Sequence, residues 1–311
     1  MSRTLQNERP PVGLVAGWGT FPIEVAQQIV RDGGRVCCVA ISGHASKDLE
    51  SICDHVKCMG VGKIGGHIRY FRKHGVRQVT MAGKLFKADI LFKGPIWLRH
   101  LPDLCALRTF WPYLFGRKRD ARDDVLLTAV TQAYGSGNMQ VCAATDFAPE
   151  LLVNQGLLVG KPINEKLRTD INLGWQIAKQ MGGMDIGQTV TVKDGTVIAV
   201  EAIEGTDACI ERTGELCKRG WTLVKVSKPN QDMRFDVPTI GPQTIDRVRQ
   251  SGGKAIAIEA GMTILVDREQ ALALARQAGI TIVAMDANEM KAATNQHTDQ
   301  PSAADASRTA A

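Results

Sequence analysis

The chain has 311 residues, 44% of them hydrophobic and 23% charged, which is the balance of a globular protein with room for two domains and excludes a disordered or fibrous one. No run approaches the roughly 18 uninterrupted apolar residues of a membrane span, and the opening MSRTLQNERPP lacks the apolar segment of a secretory leader, so a cytoplasmic protein is expected. Lys and Arg number 38 against 32 Asp and Glu, a formal charge of +6 that suits an anionic substrate or surface without choosing among phosphate, nucleic acid and lipid.

In chain order, Val12 to Ala16 predicts a strand, followed by the turn Gly17-Trp18-Gly19-Thr20-Phe21-Pro22 and a helical pattern at Ile23, Val25, Ala26, Ile29 and Val30. A second strand runs from Arg35 to Ile41 and ends at Ser42-Gly43-His44; a helix follows at Ile64 to His74, a strand at Gln78 to Met81 and a turn at Ala82-Gly83-Lys84. Strands alternating with helices predict an α/β unit with a parallel sheet. Residues 84 to 119 mix basic side chains with Trp97, Phe110, Trp111, Tyr113 and Phe115. They fit either a helix-turn-helix packed on the sheet or an amphipathic surface meeting lipid chains or a partner subunit. Asp123 to Tyr134 reads as a helix and Met139 to Ala143 as a strand.

After about residue 150 the pattern changes. A helix at Glu165 to Met181 leads to two short strand patterns, Thr189 to Val192 and Val197 to Ala202, separated by Lys193-Asp194-Gly195, a hairpin signal. Further strands are expected at Thr222 to Val226, Ala255 to Glu259 and Thr281 to Met285, with helices at Thr244 to Ser251 and Arg268 to Ala278. The expected organisation is therefore a first domain over 8–150, a mixed α/β second domain over 151–290, and a disordered tail over 291–311 rich in small and polar residues.

Eight irregularly spaced cysteines do not form a disulfide framework, and Cys53, His55 and Cys58 lack a second cluster to complete a zinc site; they read as small core residues. Gly17, Gly19, Thr20 and Pro22 suit either a tight turn or an anion cradle at a helix N-terminus. Pro22 takes the last glycine position of the dinucleotide fingerprint, and Ser42 and Gly43 replace the acid expected after the second strand, which disfavours NAD. Gly83 and Lys84 should reach the same sheet edge, where Lys84 fits a phosphate or a solvated turn.

The densest chemistry is later. Glu201, Glu204 and Asp207 surround Gly205 and Thr206, and Lys225, Lys228, Gln231, Asp232, Arg234 and Asp236 follow within a short stretch. Acids at strand ends beside a loop of Lys, Arg and Asn suit phosphate together with a hard divalent ion. All six histidines lie outside this cluster, so a histidine relay is not expected, and no sustained basic stripe or reading module points to nucleic acid.

Taken together, GLVAGWGTFP at 13 to 22, MAGK at 81 to 84, RDDVLLTAV at 122 to 130, the stretch from 170 to 214 containing VEAIEGTDACIERTG, VSKPNQDMRFDVPTIG at 226 to 241 and AIAIEAGMTILVD at 255 to 267 resemble one family. It is the cytoplasmic UDP-2,3-diacylglucosamine pyrophosphatase family of lipid A synthesis, distinct from the metallophosphatase-fold enzymes of the same step. The resemblance implies a Rossmann-like N-terminal domain and a C-terminal domain of family-specific fold, with substrate in the cleft between them, in a homodimer. It also implies magnesium-dependent hydrolysis to UMP and 2,3-diacylglucosamine 1-phosphate, with water attacking the sugar-side phosphorus; peripheral contact with the inner membrane surface is expected from the basic-aromatic segment at 84 to 119, apart from the resemblance. The family's catalytic aspartate falls in the QD-x-RFD segment, here Asp232 or Asp236, of which Asp232 is favoured. On that basis Lys228 and Arg234 would support the diphosphate, and Asp232, Asp236 and Asp207 would meet Mg2+. Gly17, Gly19, Thr20, Gly83 and Lys84 would serve the UDP side, and Glu204, Gly205, Thr206, Asp207 and Gln231 the rest of the substrate. The rival readings are a nucleotide-sugar or NAD-linked oxidoreductase and a non-enzymatic nucleotide-binding regulator.

Overall fold

The structure is a computed structural model that describes residues 9–85, 100–114, 123–235 and 237–290. Trp97 and Phe115 of the basic-aromatic segment, Asp236, and the tail from 291 lie outside the described residues. The chain divides into two compact units, one of residues up to Pro149 together with Asp232–Asp236, the other of Glu150–Gln231 and the residues from Val237.

The first unit runs β1 (Val12–Ala16), α1 (Phe21–Arg31), β2 (Val36–Ile41), α2 (Leu49–Ile52), β3 (His55–Met59), α3 (Ile64–Lys73), β4 (Gln78–Ala82), α4 (Leu104–Leu114), α5 (Asp123–Ser136) and β5 (Gln140–Val141). Its five strands are all parallel in the order β3-β2-β1-β4-β5, a Rossmann-like sheet. Parallel strands are buried on both faces, which is why VGLVA and VCCVAI are near-continuous apolar runs rather than alternating ones. One face takes Val25, Ala26 and Ile29 of α1; Ile64, Ile68 and Phe71 of α3, Ala106 of α4 and Tyr134 of α5 join the core that contains Val39, Val79 and Val141. Asp103 ties α3 to α4, accepting from the backbone N–H of Gly66 at 3.0 Å and of Ala106 at 2.9 Å. One carboxylate thus caps two helices.

The second unit runs β6 (Gly156–Val159), α6 (Glu165–Gly183), β7 (Thr189–Lys193), β8 (Thr196–Val200), α7 (Gly205–Leu216), β9 (Trp221–Lys225), β10 (Thr239–Ile240), α8 (Pro242–Gln250), β11 (Gly253–Glu259), β12 (Ile264–Leu265), α9 (Arg268–Ala278) and β13 (Thr281–Met285). Its six-stranded sheet, β6-β13-β11-β9-β7-β8, is parallel at β13, β11 and β9 and antiparallel at both margins. Strand periodicity separates two cores. Leu223, Ile256, Ile258 and Ile282 pack with Ile245 and Val248 of α8 and Ala271 of α9, while Val224, Ala257 and Val283 pack with Ile171, Trp175 and Ala178 of α6. The expected hairpin forms with Asp194 and Gly195 both at positive φ, 52° and 73°, and Asp170 of α6 accepts from both of their N–H groups. Helix α7 and strands β3 and β6 go beyond the sequence expectations.

His67 of α3 is buried between Tyr134 and the loop after β3. Its Nε2 lies 3.0 Å from the Gly60 carbonyl and its Nδ1 3.1 Å from the Tyr134 hydroxyl, so the neutral ring donates to the former and accepts from the latter. Burial pushes its pKa down to about 4, with the Gly60 carbonyl opposing. In the unfolded chain the ring takes up a proton near pH 6.5, so stability is complete above that pH and falls as pH drops toward 4. Urea unfolding should show the wild type losing on the order of 2–3 kcal/mol more than His67→Gln between pH 7.5 and 4.5; equal pH slopes would contradict the assignment.

Candidate active site

Parallel pairing aligns Ala16 with both Ala40 and Ala82, so the turns after β1, β2 and β4 leave one edge of the first sheet. The turns after β1 and β4 are knitted together. Gly17 N–H donates to Ala82 O at 2.8 Å, and Trp18 and Lys84 exchange two backbone bonds of 2.9 Å. A Cβ on Gly17 would stand 2.9 Å from Lys84 O, and one on Gly83, at φ +96°, would stand 2.8 Å from Gly17 C and from Pro22 Cγ. These two glycines are required by the close approach of the turns. Gly19, at φ +105°, opens on free space just before α1, where the Thr20 carbonyl accepts the first helical N–H groups and Pro22 fills the first turn. At the end of β2, Ser42 Oγ pairs with Cys58 Sγ at 3.1 Å, and the buried His44 meets His100 edge-on with ring centroids 5.9 Å apart.

Farther along the same sheet, an open recess of about 470 Å³ lies beside β5, lined by Thr131 and Gly135 of α5, Met139 to Ala143, Asp146 and Arg234. Arg234 arrives on the excursion Asp232–Asp236, which packs with this unit. Phe235 anchors it in the core, 8% exposed, and the Arg234 guanidinium lies 5.3 Å from the centre of that ring. Asp232 clasps Arg234: Oδ1 accepts from the Arg234 backbone N–H and from Nε, both at 3.0 Å, and Oδ2 accepts from Nε at 3.1 Å and Nη2 at 2.6 Å. The hydrogen-bonded guanidinium holds the Asp232 carboxyl below the usual carboxylate range, against the opposing effect of partial burial. Burial pushes the Cys142 thiol at the recess up, so it stands as a neutral thiol.

The other predicted residues belong to the second unit. Glu204 precedes α7 and takes Arg212 at 2.5 Å; Gly205, at φ +80°, starts the helix, and Asp207 in its first turn lies 3.5 Å from Arg247. Thr206 Oγ1 donates to Glu201 at 2.8 Å and accepts from the buried Lys225 ammonium at 3.2 Å. Lys228 pairs with Asp185 at 2.5 Å, and the Gln231 N–H donates to the Lys228 carbonyl at 3.1 Å. The structure therefore brings Asp232 together with Arg234 and joins Thr206 to Glu201 and Lys225. Among the described residues no group of three His, Cys, Asp or Glu side chains is arranged to hold a metal ion, and Asp236 lies outside them. Both oxygens of Asp232 already meet Arg234, so this carboxylate could serve a cation only by sharing or releasing the guanidinium. Thr131, Cys142 and Asp146 escaped the sequence reading. Their signal was the carboxyl end of a parallel strand, the place where such sheets bind ligands, but a strand of two residues carries little periodicity.

Residues 11–151 match the LpxI N-terminal domain family and residues 154–283 the LpxI C-terminal domain family. The chain belongs to the LpxI family. A relative from Caulobacter vibrioides described as UDP-2,3-diacylglucosamine pyrophosphatase LpxI is 31% identical over 288 residues, covering 89% of this chain and 98% of that protein. Two measurements address the geometry of the first sheet's edge. Gly83→Ala should cost about 2–4 kcal/mol in urea unfolding, more than Gly19→Ala, because it adds a backbone clash to the positive-φ strain. In Arg234→Gln, the carboxyl-carbon NMR titration of Asp232 should move up toward the ordinary range; an unmoved titration would show that the guanidinium does not set it.

Proposed function

We propose that this chain hydrolyses UDP-2,3-diacylglucosamine to UMP and 2,3-diacylglucosamine 1-phosphate, with water adding to the phosphorus nearer the sugar. The observation that carries this reading is the Asp232–Arg234 clasp beside the recess at β5. An anhydride between two phosphates demands a planar cation able to hold two oxygens and an ionised base near the attacking water. The clasp stores both groups. When the guanidinium turns from the carboxylate to the diphosphate oxygens, Asp232 loses the partner that depresses its pKa and becomes a stronger acceptor for a proton of that water. The bridging oxygen leaves with UMP, and the former water oxygen stays on the sugar phosphate. Magnesium belongs to the proposal as further compensation of diphosphate charge, with Asp236 as a carboxylate that would meet it, and no step above depends on it. Gly19 and Thr20 at the start of α1, together with Lys84, are proposed for the UDP side, because N–H groups at a helix start favour phosphate. The working form is proposed to be a cytoplasmic homodimer.

Purified protein incubated with magnesium and UDP-2,3-diacylglucosamine should release UMP and the sugar phosphate in equal amounts. In water labelled with heavy oxygen the label should enter the sugar phosphate; label confined to UMP would overturn the site of attack. Asp232→Ala should reduce kcat by about 10²–10⁴ while keeping the wild-type circular dichroism spectrum and melting behaviour. Normal turnover by a folded Asp232→Ala would remove this residue from its role, and tight binding without turnover by the wild type would favour a regulator.

A further inference from the structure

Helix α4 is held from the inside and apolar on the outside. Ala106 is fully buried in the core of the first unit, Cys105 and Phe110 pack against that core, and Asp103 fixes the helix start through the Ala106 N–H. The opposite face carries Leu104 at 85% exposure, Leu107 at 44% and Trp111 at 60%, with the exposed Arg108 beside them. Positions 104, 107, 108 and 111 share one helical face. Leu101, 39% exposed, precedes the helix. Solvent-facing leucines and a tryptophan on a rigid helix mark a surface that meets something apolar. The surrounding sequence says which apolar partner fits. Residues 99–122 hold six Lys and Arg against two Asp, Asp103 and Asp120, and Asp103 is engaged by backbone N–H groups. Leucine and tryptophan bordered by lysine and arginine fit the boundary between acyl chains and anionic headgroups.

We propose that the outer face of α4 docks the protein on the surface of an anionic phospholipid bilayer, with Leu104, Leu107 and Trp111 entering the headgroup–acyl boundary and Arg108 meeting lipid phosphate. Among the described residues no helix is long and apolar enough to cross a membrane, so the contact is peripheral. The benefit of docking rests on the proposed function, since a diacylated substrate resides in such a bilayer; the docking itself needs no substrate and is measured without one.

The full chain is sedimented with vesicles of phosphatidylglycerol and phosphatidylethanolamine, and with vesicles of neutral phosphatidylcholine. The wild type should bind the anionic vesicles, weaken as salt rises, and bind the neutral ones far less. Leu104→Glu should lower affinity for anionic vesicles about tenfold or more, because it replaces an inserted leucine with a charge. The control Leu216→Glu, at an exposed leucine of the second unit, should bind as wild type. Hydrolysis of substrate dispersed in detergent should be unchanged in Leu104→Glu, so loss of docking and failure of the proposed reaction are read separately. Wild-type protein that ignores anionic vesicles at low salt, or Leu104→Glu that binds them like wild type, overturns the proposal. So does a Leu104→Glu variant that changes from dimer to monomer with vesicle binding intact, since the face would then join two copies of this chain.

Discussion

Phe235 fixes the Asp232–Arg234 pair against the core of the first unit. The polypeptide leaves the second unit after Gln231, spends five residues with the first, and returns at Val237. Burying one phenylalanine stabilises by about 2–3 kcal/mol, whereas an ion pair as exposed as Asp232 with Arg234, 37% on each side, contributes about 0–1 kcal/mol. The ring therefore holds the excursion, and the ion pair is left free to rearrange. A clasp that held the segment itself could not open toward a substrate without releasing the segment.

The second unit shows the opposite use of charge. Glu259 ends β11 at 3% exposure and receives the Lys179 ammonium on both oxygens, at 2.8 and 2.7 Å, together with the Ser227 N–H at 2.8 Å and hydroxyl at 2.6 Å. Lys225, Thr206 and Glu201 form a second chain of bonds at the same strand ends. Removing one partner from such a buried network would strand an ion and cost about 3–5 kcal/mol. These groups are saturated and locked, and they fix the course of the backbone at Ser227, just before the segment that carries Lys228 and Gln231. Carboxylates of the same charge thus sit in two settings, separated by burial: Glu259 is 3% exposed and the Asp232 side chain 37%.

This difference explains what could be read from the sequence. β1, β2, β4, α6 and the hairpin of β7 and β8 were legible because apolar period and turn chemistry agreed in each. Helix α7 was not, since Glu201, Glu204 and Asp207 around Gly205 read as a site, although an acid in a first helical turn is also favoured by the helix dipole. β3, HVKCM, gave no alternation because it is an edge strand with few buried residues. The concentration of charge from 225 to 236 was legible in the sequence. Its division between two units was not, because that depends on Phe235 finding a core assembled from residues about a hundred positions or more earlier.

The joined turns at β1 and β4 bear on how a long substrate could lie along the first sheet. In a Rossmann-like sheet the ligand crevice opens where the chain reverses its strand order, here between β1 and β4. The Trp18 and Lys84 backbone exchange, with Gly17 against Gly83, draws the turns after β1 and β4 together at that point. The recess with Arg234 lies at β5, two strands from β1, a separation of roughly 10 Å at the usual strand spacing. In the proposed reaction, a nucleotide joined through a diphosphate to a sugar would span from α1 to the clasp. A dinucleotide laid through the open crevice of an oxidoreductase would need the very space these turns occupy. The same sheet order therefore accommodates the hydrolytic reading and disfavours the nicotinamide one.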